Sequence, residues 1–473
     1  MFIDNNFGLY TDFYELTMAQ GFFYSNKKED HASFDYFFRT NPYKGGFTVF
    51  AGLQDFLDLL TNFTFSKSDL DYLQSLNLRP EFLDYLKDFT FKGTIYSVKE
   101  GEIIFPNEPV LRVEGKIIEC QLIESLLLNI LNFESLIATK AFRIKMVGQT
   151  TDFSDFGLRR AQGLGAIQAS RAAIIGGASS TSNTLAGKLY ELPVSGTMAH
   201  SWIQSFDNEL EAFRAYASAH PDNTILLVDT FNTLKSGVPN AIKVAKELEQ
   251  KGQHLKAIRL DSGDLAYLSK KARKQLDDSG LRDVKIMASN QLNEFVIKSL
   301  LKDQKAPIDA FGVGTELSTG KADAALDGVY KLALLNEMPK MKFSENIEKM
   351  TLPGNKQLVR YFDEQGKFFC DGIICANENP EDIEKLFHPI YAEKQTAVSN
   401  FKSQKLHEKV VEKGKILIEL KTPQIIYEYL EKRAILIAEE HKRFISPHLY
   451  KVGISKKLME TRNALTKQLK TLH

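Results

Sequence analysis

Arg259, Asp261 and Asp264 fall within the short segment RLDSGDL (259–265), where an apolar run ends and a helix-like stretch begins. Gathering charges of both signs at a buried strand end is unfavourable unless a ligand or partner compensates them. Carboxylates there suit ribose hydroxyls or a hydrated Mg²⁺, and a guanidinium suits a phosphate or carboxylate through its planar fork. Four other segments carry chemistry-bearing residues. Asp155–Gly165 (DFGLRRAQGLG) sets Phe156, Arg159 and Arg160 among glycines; it reads as an oxyanion site or as a turn with solvated arginines. Gly176–Gly187 (GGASSTSNTLAG) is nearly free of bulk, which suits close backbone approach to a ligand or an ordinary flexible loop. Gly196–Trp202 (GTMAHSW) holds His200 between Thr197 and Ser201, as a nucleophile or as a satisfied structural group. Phe311–Thr315 (FGVGT) reads as a backbone phosphate cradle through Gly312, Gly314 and Thr315, or as a plain strand-to-helix turn.

The elements that must position these residues are four apolar runs separated by helix-like stretches: Ile225–Thr230, Ala257–Asp264, Val284–Asn290 and Ala310–Thr315. Continuous Val/Ile/Leu runs of this kind are buried parallel strands, and barrels built from them carry chemistry at the strands' C-terminal ends. Those ends hold Asp229, Arg259, Asp261, Asp264, Ser289, Asn290 and Thr315. The expected fold is therefore α/β, an irregular parallel α/β barrel with an additional mixed α+β domain built from the N- and C-terminal regions. The expected divisions are residues 1–115 (N-terminal α+β), 116–340 (catalytic barrel) and 341–473 (C-terminal α+β, packing with the N-terminal part). Gln121–Met146 reads as a long apolar helix between domains, and Gly93–Val113, Val359–Cys375 and Lys415–Leu420 as β elements. Ile454–Lys470 reads as a basic helical tail with a solvated face.

Composition narrows the function class. With 473 residues and 43% hydrophobic content the chain can bury a sizeable core. Lys+Arg and Asp+Glu both number 60, so no basic excess points to nucleic acid or an anionic membrane. No uninterrupted apolar run approaches the ~18 residues of a membrane span, and MFIDNNFGLYTD lacks the basic-then-apolar order of a secretory signal. Cys120, Cys370 and Cys375 have no metal-type spacing, so no metal held by protein side chains is expected, and the cytoplasm is the expected compartment. A phosphate cradle, an acid pair, an arginine pair and a rim histidine together imply an enzyme of phosphorylated sugars with an anionic co-substrate.

The segments TDFYELTMAQGF (11–22), FFRTNPYKGGFTVFAGL (37–53), NFESLIATKAFR (132–143), DFGLRRAQG (155–163), GTMAHSW (196–202), LLVDTFNT (226–233), IRLDSGDL (258–265), ASNQLNE (288–294) and FGVGTELST (311–319) resemble, in this order, nicotinate phosphoribosyltransferases, relatives of the nicotinamide and quinolinate enzymes. The resemblance implies that nicotinate and 5-phosphoribosyl 1-pyrophosphate give nicotinate mononucleotide and pyrophosphate. It further implies coupling to ATP, with Mg²⁺, through a phosphohistidine at His200. Arg259 and Asp261 would act with it in catalysis. Tyr14 (from a second subunit) and Phe156 would sandwich the pyridine ring, with Arg159, Asn183, Thr197 and Arg259 completing the nicotinate site. Asp261, Ser289, Asn290, Gly312, Gly314 and Thr315 would bind phosphoribosyl pyrophosphate. A homodimer with shared sites is implied. Asn183 stands where the nicotinamide-using branch has an aspartate; a neutral side chain there would not repel a carboxylate. The competing expectations are nicotinamide phosphoribosyltransferase activity and a catalytically silent barrel that only binds phospho-ligands.

Overall fold

The computed structural model describes residues 6–148, 151–344, 349–391 and 393–472. These described residues fall into two compact units, one within 137–324 and 422–427 and the other within 6–136, 325–421 and 428–472.

The first of these units is the parallel α/β part. Its strands are β1 (Asp152–Asp155), β2 (Ser180–Thr181), β3 (Ile225–Leu227), β4 (Ala257–Leu260), β5 (Lys285–Ser289) and β6 (Ala310–Val313). They lie in the order β2-β1-β6-β5-β4-β3, every neighbouring pair parallel. A parallel bridge from Thr181 to Val194 extends the β2 edge. The barrel is irregular: among the described residues the strand pairings form an arc and do not close. β3 to β6 are each shorter than their apolar runs, because polar residues at the C-terminal end leave the ladder at the rim. Leu226, Leu227, Ile258, Leu260, Ile286, Ala288, Phe311 and Val313 are almost wholly buried, as expected of strands covered on both faces.

Register lines up the strand ends. Leu227 pairs with Arg259, Leu260 with Ala288, Ser289 with Gly312 and Val313 with Asp155. The helices that follow start at side-chain caps: Asn183 Oδ1 accepts from Ala186 N, Asn293 Oδ1 from Phe295 and Val296 N, and Asp264 Oδ1 from Tyr267 N. Asp264, counted above among the rim acids, is thus a helix cap. Gly176–Gly187 is not an open flexible loop but holds β2 and the start of helix Thr184–Tyr190. Glu191–Val194 contributes only the bridge at Val194. Helix Glu124–Gly148 carries Lys140 and Arg143, whose cationic groups both reach the fully buried Glu294 carboxylate, at 3.0 Å each.

The second unit is mixed α+β. Strand His31–Phe38 lies between Gly328–Leu335 and Leu111–Lys116 in a seven-stranded antiparallel sheet that also takes Thr94–Ser97 and Glu408–Glu412. N- and C-terminal regions therefore share one sheet. A second, six-stranded sheet comes from residues 356–454. On a strand of this sheet the fully buried Arg360 pairs with Asp371 and Glu102 at 2.6 and 2.7 Å. The stretch 117–148 is long and apolar enough to cross a bilayer by length and composition, but 72% of its apolar window is buried, as in a core helix. Lys415–Leu420 is strand only over Lys415–Ile416.

Candidate active site

The carboxyl ends of β4 and β5 and the approach to helix His200–Gln204 converge on one guanidinium. Arg259 donates from Nε to Ser289 Oγ at 2.9 Å, from Nη1 to Thr197 Oγ1 at 2.7 Å, and from Nη2 to Asp261 Oδ1 at 3.0 Å. Ser289 Oγ donates to the same Asp261 oxygen, closing a triangle of charge-assisted bonds. Beneath it, Asp229 Oδ2 accepts from Asp261 N and Ser262 Oγ, both at 2.7 Å, so the loop after β4 is held from the end of β3.

The electrostatics follow from these contacts. Burial pushes the Asp261 carboxyl up, but the bonds from Ser289 and Arg259 outweigh it and hold Asp261 below the usual carboxylate range. It is an anion fixed beside a cation, with its second oxygen 3.9 Å from His200 Nε2. The other imidazole nitrogen, Nδ1, lies 2.9 Å from Thr230 Oγ1. His200 is 40% exposed at the side chain, open enough to meet a ligand.

Phe156 forms an aromatic wall, its ring centroid 5.6 Å from the Arg259 guanidinium carbon. Its backbone N donates to Val313 O at 2.8 Å. The turn is braced by Asp155, whose carboxylate accepts from Gly157 N, Ser170 Oγ and Thr181 Oγ1, each at 2.8 Å. Burial raises Asp155 while those three bonds oppose the shift. A ring wall, an anchored cation and a fixed anion with hydroxyl donors can hold a flat anionic ring beside a sugar and stabilise positive charge developing on that sugar.

Residues 151–365 match the nicotinate phosphoribosyltransferase (NAPRTase) family, 9–132 match its N-terminal domain and 355–462 its C-terminal domain. Nicotinate phosphoribosyltransferase of Bacillus subtilis (strain 168) is 44% identical over 466 residues, covering 96% of this chain and 94% of its own. The chain belongs to the nicotinate phosphoribosyltransferase family. The Caenorhabditis elegans nicotinate phosphoribosyltransferase is 37% identical, with 96% of this chain and 92% of its own covered. The crystal structure of human nicotinic acid phosphoribosyltransferase superposes with a TM-score of 0.87 at 29% identity, covering 96% of this chain and 99% of its own.

Of the residues expected to bind in a nicotinate phosphoribosyltransferase, the structure gathers Thr197, His200, Arg259, Asp261, Ser289 and Phe156. Asn290 follows directly, exposed and at φ 83°, with Gln291 at φ 50°; this left-handed pair turns the chain sharply off β5. Gly314 and Thr315 sit where β6 passes into the short helix Thr315–Ser318, and Thr315 is exposed. Gly312 lies inside β6, under the Phe156 ring. Arg159 is exposed and stands apart from the Arg259 cluster's hydrogen bonds. Asn183 is buried: its Nδ2 donates to Ala166 O and Ser170 Oγ at 3.3 Å while Oδ1 caps the helix. Tyr14 belongs to the other unit, 49% exposed on helix Phe13–Tyr24 beside the exposed Phe13. Sequence reasoning assigned no role to Thr230 or to the bracing Asp155, and named Asp229 only as a rim acid. A polar residue closing an apolar run was the available signal for both aspartates.

Proposed function

We propose that the chain joins nicotinate to 5-phosphoribosyl 1-pyrophosphate, forming nicotinate mononucleotide and pyrophosphate for the salvage of pyridine nucleotides. The observation that carries this reading is the Arg259–Asp261–Ser289–Thr197 cluster at the barrel rim of a chain that matches this family over nearly its whole length. The pyridine nitrogen attacks C1 of the ribose, the bond from C1 to the pyrophosphate oxygen breaks, and pyrophosphate leaves with that electron pair. The Asp261 carboxylate faces the positive charge that develops on the sugar. Arg259, with Thr197 and Arg159, takes the nicotinate carboxylate, and Phe156 stacks on the ring. Ser289, Asn290, Gly314 and Thr315 contact the phosphoribosyl moiety, and Gly312 serves by leaving room for the Phe156 ring.

ATP enters as a co-substrate that phosphorylates His200, a half-exposed imidazole beside a fixed carboxylate. Asp229 Oδ1 is buried and without a hydrogen-bond partner, and with Asp261 it offers the hard oxygens that suit a hydrated Mg²⁺. Among the described residues no three His, Cys, Asp or Glu stand together to hold a metal. Mg²⁺ in this reading would arrive on the substrates' phosphates and neutralise part of their charge.

The exposed aromatics Tyr10, Phe13 and Tyr14 support a homodimer in which Tyr14 completes the pyridine sandwich of a second copy. Asn183 contributes by capping its helix with a neutral group rather than by touching the ligand. Three free thiols, two of them buried, fit a cytoplasmic protein. In domain terms, catalysis belongs to the barrel, with the N- and C-terminal regions as the α+β partner. Incubation with labelled nicotinate or nicotinamide and phosphoribosyl pyrophosphate, with and without ATP, tests the whole. Nicotinate mononucleotide formation that ATP stimulates, with little product from nicotinamide, is the expected result. Preference for nicotinamide would move the chain to that branch, and no product from either would leave a silent binding barrel.

A further inference from the structure

His200 opens the helix His200–Gln204, 40% exposed at the side chain, so little packing fixes the rotation of its ring. Two neighbours do face it. The Asp261 carboxylate lies 3.9 Å from Nε2, beyond hydrogen-bond length but close enough for its charge to act on that nitrogen. The Thr230 hydroxyl lies 2.9 Å from Nδ1, well within it. Asp261 itself cannot swing closer without breaking its bonds to Arg259 and Ser289 and the loop bond from Asp261 N to Asp229. Among the described residues, one hydroxyl is thus the single direct hydrogen bond of this imidazole.

The geometry points to Thr230 as a positioning residue for phosphoryl transfer to His200: its hydroxyl holds the ring's rotation and its tautomer through Nδ1. The inference rests on the reading of His200 as the phosphorylated residue. An anion facing Nε2 keeps the proton on that nitrogen, which leaves the lone pair on Nδ1, and the Thr230 O–H donates to it. A ring with one fixed tautomer presents one nucleophilic lone pair in one direction. In the transfer that lone pair forms a bond to the γ-phosphorus of ATP, the bond from that phosphorus to the β,γ-bridging oxygen breaks, and ADP leaves with the electron pair. As the γ-phosphorus arrives, the Thr230 hydroxyl releases the Nδ1 lone pair it has held in place and turns to a phosphoryl oxygen. Thr230 touches neither substrate before the transfer; it acts through His200. It has the means to do so because it stands directly after Asp229, which anchors Ser262 and the Asp261 backbone, so hydroxyl and carboxylate are set by one turn of chain after β3.

The test measures phosphoenzyme formation from γ-labelled ATP by rapid quench in the wild type, Thr230→Val, Thr230→Ser and His200→Asn. The expected result is acid-labile label in the wild type and none in His200→Asn. Label formation should slow in Thr230→Val by on the order of 10- to 100-fold, the scale of a misoriented reacting group, and Ser should restore it. The loss should fall on the maximal rate more than on the ATP concentration needed for half of it, since Thr230 orients the nucleophile and does not bind nucleotide. A Thr230→Val rate within twofold of wild type, or no rescue by Ser, overturns the positioning role while leaving phosphorylation of His200 standing. Absence of His200-dependent label in the wild type overturns the phosphohistidine reading itself and this inference with it. Should Thr230→Val not fold, ¹⁵N shifts of the His200 ring in the wild type decide: an Nε2–H tautomer supports the proposal, and an Nδ1–H tautomer overturns it.

Discussion

Gly312 and Phe156 pack so closely that a Cβ on Gly312 would stand 2.5 Å from Phe156 Cδ2 and 2.6 Å from Cε2. Real side chains do not approach to such distances, so the absence of a side chain on β6 is what lets the aromatic wall lie across the strand. The backbone bond from Phe156 N to Val313 O pins the same turn from the next residue, leaving the ring no room to retreat with its backbone.

Gly312→Ala should therefore displace the Phe156 ring while the barrel stays folded. The cost in stability should be about 1–3 kcal/mol, typical of an added methyl in packed surroundings. Catalysis should suffer more, with kcat/KM for nicotinate falling by at least roughly 10-fold because ring stacking is lost at the reacting centre. Steady-state kinetics beside thermal melting separates the two effects; equal activity in a folded variant would mean that the ring does not contact the substrate.

Arg259→Lys keeps the charge and removes the fork. An ammonium cannot bridge Ser289, Thr197 and Asp261 together in the geometry that Nε, Nη1 and Nη2 now occupy. With charged hydrogen bonds contributing about 1.5–3 kcal/mol each, kcat/KM should drop by about 100-fold or more. Nicotinate titrated by calorimetry should bind more weakly as well. A lysine enzyme within threefold of wild type would show that charge alone carries the function of this side chain.

Some of this site is legible in the primary structure and some is not, for reasons that particular residues make plain. Arg259, Asp261 and Ser289 stand out because a buried parallel strand has no other use for charge, so polar residues closing an apolar run mark the rim. Asp264 obeys the same local rule and is nevertheless a helix cap, since the choice between rim and cap depends on which way the chain turns after Gly263. Asn183 falls in a run of small residues that reads as a ligand-approach or flexible loop, but the bridge from Thr181 to Val194 and the Asp155 network draw it inward. Gly328–Leu335 reads as a continuation of the barrel, whereas it pairs antiparallel with His31–Phe38, a contact whose partner is hundreds of residues away. The motifs 132–143 and 288–294 meet through Glu294 with Lys140 and Arg143, a relation neither segment contains alone.

Glu15 offers a prediction in pH. Its side chain is buried on helix Phe13–Tyr24. Burial pushes its carboxyl up to about 7, opposed by bonds from Tyr14 and Gln121 and reinforced by Glu124. The folded protein thus holds this proton more tightly than the unfolded chain, so stability contributed by Glu15 is present below the ordinary carboxylate range. It is lost as pH rises toward 7. Glu15→Gln, which keeps an oxygen for Gln121 Nε2, should match the wild type in thermal melts near pH 4 and exceed it increasingly up to pH 8. A difference that is flat with pH would place Glu15's charge outside the folding equilibrium.

Asn183→Asp distinguishes a ligand contact from a structural cap. The Asn183 Nδ2 group donates to Ala166 O and Ser170 Oγ, and Ser170 Oγ also donates to Asp155. A carboxylate at this position would face a carbonyl oxygen it cannot bond and would share one hydroxyl with a second buried carboxylate. Leaving such groups unmatched costs about 1–3 kcal/mol, more for charge, and the penalty should grow as pH rises and both acids ionise. The variant should melt lower at pH 8 than at pH 5 relative to wild type and use nicotinate less well, with no compensating rise in nicotinamide use. Kinetics with both pyridines at the two pH values decides between the alternatives. A tenfold gain with nicotinamide in a normally stable variant would mean that this side chain turns toward the substrate when the pyridine binds, and that its neutrality selects the carboxylate directly.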